Sequence, residues 1–132
     1  MRFMMLYKPG YESDAPPSQE NIEEMGKFIG ELAQEGVLLL TDGLQPSSQS
    51  SARVRIDKGK FTVTDGPFTE TKELIAGFAI VQVKSKEEAI AVTKRFLKVA
   101  GEGESEVRLM HDLSAYDAKG PSLHGGPGNR IT

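Results

Sequence analysis

The sequence contains no cysteine, which removes disulfides, thiolate metal sites and a cysteine nucleophile at once. Small secreted folds commonly depend on disulfides, so a cytoplasmic protein is expected. No charge of one sign dominates either: Lys+Arg 16 against Asp+Glu 19 gives a formal balance of -3. Such a chain has no strong positive field to gather nucleic acid or an anionic membrane, and neither is expected as a partner. Long hydrophobic runs are missing too. The start, "MRFMMLYKPGYESD", is too short an apolar run for a secretory segment, and nothing later approaches the roughly 20 apolar residues of a membrane span. Two separated histidines and scattered carboxylates form no zinc spacing and no calcium loop, so no metal is expected. No phosphate-cradling glycine motif stands before a helix: "GEGES" follows the second helix, and "HGGPG" lies in the tail. A bound cofactor is therefore not expected. The serines of "PSSQSS" lack the strand-turn-helix setting of a nucleophile and read as linker.

What is present is punctuated periodicity. At 132 residues the chain suits one domain. Arg2 to Tyr7 form a strand-length apolar run, closed by the Pro and Gly of "KPGYESDAPP". Ser18 can cap a helix over Gln19 to Glu35, in which Ile22, Met25, Ile29 and Leu32 recur at helical spacing and Gly36 supplies the stop. Val37 to Leu40, apolar at every position, suggests a strand covered on both faces. Ala52 to Asp57 and Lys60 to Thr64, joined by Lys58 and Gly59, read as a tight hairpin burying one face, toward a sheet edge. "LIAGFAIVQV" predicts a long strand. Ser85 and Glu88 predict a capping box before Ala89, Val92, Phe96 and Val99, in a helix ending near Gly101. "SEVRLMHD" is the last predicted strand. Residues 1 to 113 then form the domain, and 114 to 132, rich in Gly and Pro, a loosely ordered C-terminal extension.

The order strand, helix, strand, inserted hairpin, strand, helix, strand is the split βαβ pattern of a ferredoxin-like α+β sandwich. Two helices cover one sheet face. The central strands carry apolar groups on both sides, Phe3 and Met5 against Met4 and Leu6, Phe78 and Ile80 against Ala79 and Val81. Covering a few hundred Å² of such surface at about 25 cal/mol per Å² is worth several kcal/mol, so a homodimer through the helix-free face is expected.

"DGPF" followed by "TETKE" and the strand "LIAGFAIVQV" resembles the YCII-related, DGPF-domain family. "RFMMLY", "EGVLLLTDGLQP", "VRIDKGKFTVTDGPFTETKE" and "EVRLM" also match that family's layout. The resemblance implies a ferredoxin-like fold assembled as a dimeric α+β barrel, and it implies no settled activity. In YCII-like relatives a histidine on the first helix and an aspartate are proposed as an active pair. Here that stretch reads "EEMGKF", with methionine or glycine in place of histidine, so the role does not transfer. DGPF proteins also resemble companions of extracytoplasmic-function sigma factors, which implies a regulatory association.

Several residues have both a structural and a chemical reading. Asp65, before Gly66 and Pro67, either holds the turn by accepting backbone N–H bonds or serves as a general base. Glu70 is a second candidate base, with Lys72 two residues on to hold an anionic substrate group; the alternative is an exposed ion pair worth about 0 to 1 kcal/mol. Phe68 either plugs the core or meets a substrate. His111 either lines a cleft as an acid/base group or bonds backbone at a strand end; its neighbour Asp112 points to the opposite face of a regular strand. Tyr7 offers a phenol to a ligand or to a backbone carbonyl. Asp42 forms a turn after a buried strand or meets the DGPF loop at a small-molecule cleft. His124, in the tail, is read as incidental. Two functional classes stay open: a small-molecule enzyme using cofactor-free acid/base chemistry of a hydrolase or isomerase kind, and a non-enzymatic regulatory or accessory module.

Overall fold

A computed structural model describes residues 1–10, 13, 15–68 and 74–112. The elements run in the order β1 (Arg2–Lys8), α1 (Gln19–Gln34), β2 (Leu38–Gly43), β3 (Ala52–Asp57), β4 (Lys60–Asp65), β5 (Gly77–Gln82), α2 (Lys86–Ala100) and β6 (Glu104–Leu109). β2, β5, β1 and β6 form one sheet in that spatial order, every neighbouring pair antiparallel, and β3 and β4 form a separate two-stranded sheet. Both crossovers are split: β5 lies between β1 and β2, and β1 lies between β5 and β6. This is the ferredoxin-like α+β sandwich with an inserted hairpin.

The helices begin and end where local chemistry requires. Ser18 Oγ accepts the Asn21 N–H at 3.1 Å, satisfying one of the donors the first turn leaves open. At the far end Gly36 takes φ +74°, and the N–H groups of Gly36 and Val37 donate to Ala33 and Leu32 at 3.1 and 3.0 Å. That paired closure is a Schellman motif, and the left-handed residue is glycine because other side chains are strained there. Ser85 Oγ accepts from Glu88 N–H at 3.1 Å. Glu88 returns a carboxylate oxygen to the N–H of Lys84, one residue ahead of the cap.

The core lies between the helices and one sheet face. Phe3, Met5, Val81 and Val83 pack under Phe28 and Leu32 of α1 and Ala89 and Val92 of α2. Alternation along β1 and β5 puts Met4, Leu6, Phe78 and Ile80 on the opposite face, where none of them is fully buried. At the β6 edge that face carries an ion-pair cluster, with Glu106 held by Lys8 at 3.1 Å and Arg108 at 3.2 Å.

Three expectations change. β2 is not covered on both faces within the chain: it is an edge strand, and Leu39 and Leu40 are each 53% exposed. A bulge between Leu38 and Leu40 shifts its register against β5. An unbroken apolar run signals demand for cover, and here one chain does not supply it. The hairpin likewise buries neither face in the chain. Lys58 and Gly59 at φ +50° and +80° make the tight turn that matches strand twist. Register places Val54 opposite Val63 and Ile56 opposite Phe61. These four remain 67%, 64%, 62% and 72% exposed respectively. Finally, β5 begins at Gly77 and not at Leu74; Ala76, just ahead of it, donates its N–H to the Tyr7 carbonyl and accepts from the Leu44 N–H, both at 2.8 Å.

Candidate functional site

The helical stripe of α1 divides into two uses. Phe28 and Leu32, in its C-terminal half, are buried against the sheet. Ile22, Met25 and Gly26, nearer the N-terminus, and Ile29, one residue past Phe28, face a cavity of about 620 Å³ between α1, α2 and the end of the sheet. Its other walls are Met5, Tyr7 and Ala79 from the sheet, with the Phe78 position of β5, whose side chain alternates to the other face, and Phe96, Val99 and Ala100 from α2. The rim is formed where β2 and β5 meet, by Thr41, Asp42, Gly43, Ala76 and Gly77. Most of these side chains are apolar, and Asp42 is the only charged residue among the described lining residues.

The polar groups are few and fixed. The Gly43 N–H donates to Asp42 Oδ1 at 2.9 Å, which ties the carboxylate to the strand exit. Thr41 Oγ1 donates to the Phe78 carbonyl at 2.9 Å, and Tyr7 Oη to the Glu102 carbonyl at 3.1 Å. The Tyr7 ring stands edge-on to Phe96, centroids 5.2 Å apart at 83°. Ser105 Oγ is buried and has no hydrogen-bond partner among the described residues. Asp42 also lines an adjoining cavity of about 590 Å³ formed with the Pro9, Pro16 and Pro46 loops.

Of the residues singled out from sequence, Tyr7 and Asp42 line this cavity together. Asp65 ends β4 opposite Ala52 and is exposed. The turn after it is built by close approach. The Gly66 N–H donates to the Ser51 carbonyl at 3.0 Å, and Ser51 Oγ donates to the Ser47 carbonyl. A Cβ at Gly66 would collide with both of those groups, and the Gly66–Pro67 peptide is cis. The Phe68 N–H donates to buried Ser47 Oγ at 3.0 Å, while its half-buried ring lies 4.1 Å beneath the Arg53 guanidinium. The ring is thus a platform for hairpin arginine, away from the core cluster. His111 is exposed past the end of β6, and its carbonyl accepts from Arg2 at 2.9 Å. Glu70, Lys72 and His124 lie outside the described residues, as does the expected loose extension from 114.

The sequence marks Ile22, Met25 and Ile29 only as a helix-period stripe, and neither Gly26 nor Ser105 stood out in it as a candidate site residue. The signal that pointed elsewhere was Gly26 itself, since a glycine in a helix interior costs about 0.5 to 1 kcal/mol relative to alanine. Among the described residues no three His, Asp or Glu side chains gather to hold a metal ion, and no helix is long and apolar enough to cross a membrane.

The chain can now be set beside known proteins. No curated protein matches it. Among solved structures, 5-chloro-2-hydroxyhydroquinone dehydrochlorinase (TftG) from Burkholderia phenoliruptrix AC1100, in complex with 2,5-dihydroxybenzoquinone, is similar at 17% identity and a TM-score of 0.45. The match covers 84% of this chain and 94% of that one, a likeness too distant to carry a function across. The family comparison is decisive for kinship: the YCII-related domain matches residues 1–126, and the chain belongs to the YCII-related family.

Proposed function

We propose that this protein is a cytoplasmic homodimer that binds a small molecule in the cavity beneath the first half of α1 and acts on it by cofactor-free acid/base chemistry. The observation that carries the reading is a single carboxylate, Asp42, at the rim of a largely apolar cavity. Cavities of roughly 300 to 1,000 Å³ with apolar walls and a few placed polar groups are the usual form of a small-molecule site. In this reading Asp42 removes or returns a proton on the bound molecule, Asn21 of α1 and Ser105 of β6, which also line the cavity, offer hydrogen bonds, and the apolar walls limit water around the reacting atoms. Asp65 and His111 stand outside the described lining of this cavity. The dimer is supported by the apolar residues left without cover on the helix-free face and on the hairpin.

To test the catalytic reading, the purified protein is incubated with a neutral-pH metabolite extract, and depleted compounds are identified by mass spectrometry. Asp42→Asn should slow that depletion at least about a hundredfold, the low end of what general base catalysis contributes. Depletion at the wild-type rate by the variant, or none by the wild type, would remove the acid/base role.

A second reading has its own support. The exposed apolar face of the β3–β4 hairpin suits a protein partner, as an accessory module of a sigma factor system would require. Capture of a purified extracytoplasmic-function sigma factor by the wild type but not by Phe61→Ser would favour that reading.

A further inference from the structure

Gly26 sits in the middle of α1, on the stripe that faces the cavity, and nothing lies within 4 Å of where its Cβ would be. No close packing therefore demands glycine there, and its φ is not in the left-handed region. A helix-interior glycine is nevertheless unfavourable relative to alanine. What glycine does provide is room, because this position lies on the exposed flank of the stripe and any side chain there extends along the mouth of the space lined by Ile22, Met25, Ile29 and the sheet.

The walls indicate what that volume receives. Tyr7 and Phe96 present an edge-to-face aromatic pair, and Met5 and Met25 add polarizable side chains that adapt to flat surfaces. Among the described lining residues no cation is present and the one charge is the Asp42 carboxylate. An anionic ligand would meet repulsion from that carboxylate. We infer that the cavity takes a neutral, ring-bearing small molecule, and that Gly26 sets the size of the ring system it admits. The inference rests on the cavity being the binding site, as proposed above, and adds the class of ligand and the residue that selects it.

Two probes sharing one framework test it. N-phenyl-1-naphthylamine is neutral, whereas 8-anilino-1-naphthalenesulfonate carries a sulfonate on the same rings; both report burial by fluorescence. The neutral probe should bind at least about tenfold more tightly than the sulfonate, and Asp42→Asn should narrow that gap. Gly26→Ala should weaken the neutral probe modestly and Gly26→Leu by at least about tenfold, as the side chain fills the ring's place. Both substitutions improve helix propensity, so the melting temperature should hold or rise by about 2 to 4 °C, which separates occlusion from unfolding. Phe61→Ser, on the hairpin, controls for probe bound to exposed apolar surface and should leave the neutral probe's affinity within about twofold.

Equal or tighter binding of the sulfonate overturns the assignment of charge. Unchanged affinity in Gly26→Leu, loss of binding in Phe61→Ser, or no binding of the neutral probe overturns the assignment of site. The catalytic reading fails separately: Asp42-dependent turnover that ignores Gly26→Leu would keep the acid/base role and end the size filter. Gly26-dependent binding without turnover would do the reverse.

Discussion

The two faces of one sheet meet opposite fates. Val81 is fully buried beneath the helices, while its neighbour Ile80, one residue back on the same strand, points to a face that carries no helix. Their side chains are alike in size and hydrophobicity, and only the parity of the position separates them. What the contrast teaches is that one chain satisfies half of its own apolar demand. The remainder is concentrated in Met4, Leu6, Phe78, Ile80, Leu40 and the hairpin, where a second copy is the proposed cover.

The largest expected effect breaks this comparison directly. Val81→Asp buries an unpaired charge in the core and should cost about 4 kcal/mol or more, seen as loss of the cooperative thermal transition. Ile80→Asp should instead leave a folded chain and halve the mass in solution, measured by light scattering. If both variants unfold alike at concentrations where the wild type is monomeric, the two faces are not different in kind.

A smaller effect sharpens the contrast at the hairpin. Phe61 and Ile56 face each other on one side of the β3–β4 ribbon and remain largely exposed among the described residues. Phe61→Ser should change the stability of the isolated chain by no more than about 0.5 kcal/mol, as surface substitutions do. Self-association should nevertheless weaken, seen as a dissociation constant raised at least about tenfold in sedimentation equilibrium.

The smallest effect concerns the helix layer. Arg95 of α2 grips Glu35, just past α1, through two hydrogen bonds of 3.1 and 3.0 Å, and these hold the Glu35 carboxyl below its ordinary value of 4.5. A depressed carboxylate stabilises the fold above its unfolded pKa, and that contribution is lost as pH falls through the folded value. Glu35→Gln should therefore lower the melting temperature slightly at pH 7, and the gap to wild type should close as pH drops below about 4.5. The solvent-accessible setting of both partners keeps the effect small. A gap that widens in acid would mean the pair does not stabilise the folded chain.

Much of the fold was legible because it is written in local chemistry. Ser18, Gly36, Ser85 and the Lys58–Gly59 turn each fix a boundary through a few neighbouring atoms, and all four act as their residue types require. The chain order of those elements then leaves few topologies open. Burial was less legible. "VLLL" and the alternating hairpin announce apolar surface without saying which molecule covers it, so within one chain Leu39, Leu40, Val54 and Phe61 lie open.

The candidate site was legible only at its rim. Tyr7 and Asp42 drew attention as polar residues at strand ends, and both line the cavity. The DGPF turn drew attention through its turn formers, and the structure shows Gly66 and Phe68 tied to Ser47 and Ser51 at the exit of β4. The cavity walls gave a helix-period apolar stripe that reads the same whether it packs on a sheet or stands over a void. Which of these occurs depends on how far α1 lifts from the sheet, a distance that no local pattern encodes.

The contrast between the two sheet faces is tested most directly by the solution mass of the unmodified 14.4 kDa chain at micromolar concentration, measured by light scattering after gel filtration. A species of twice the chain mass, reduced to one chain by Ile80→Asp, is the expected result. A stable single-chain wild type, with its helix-free face hydrated, would contradict it.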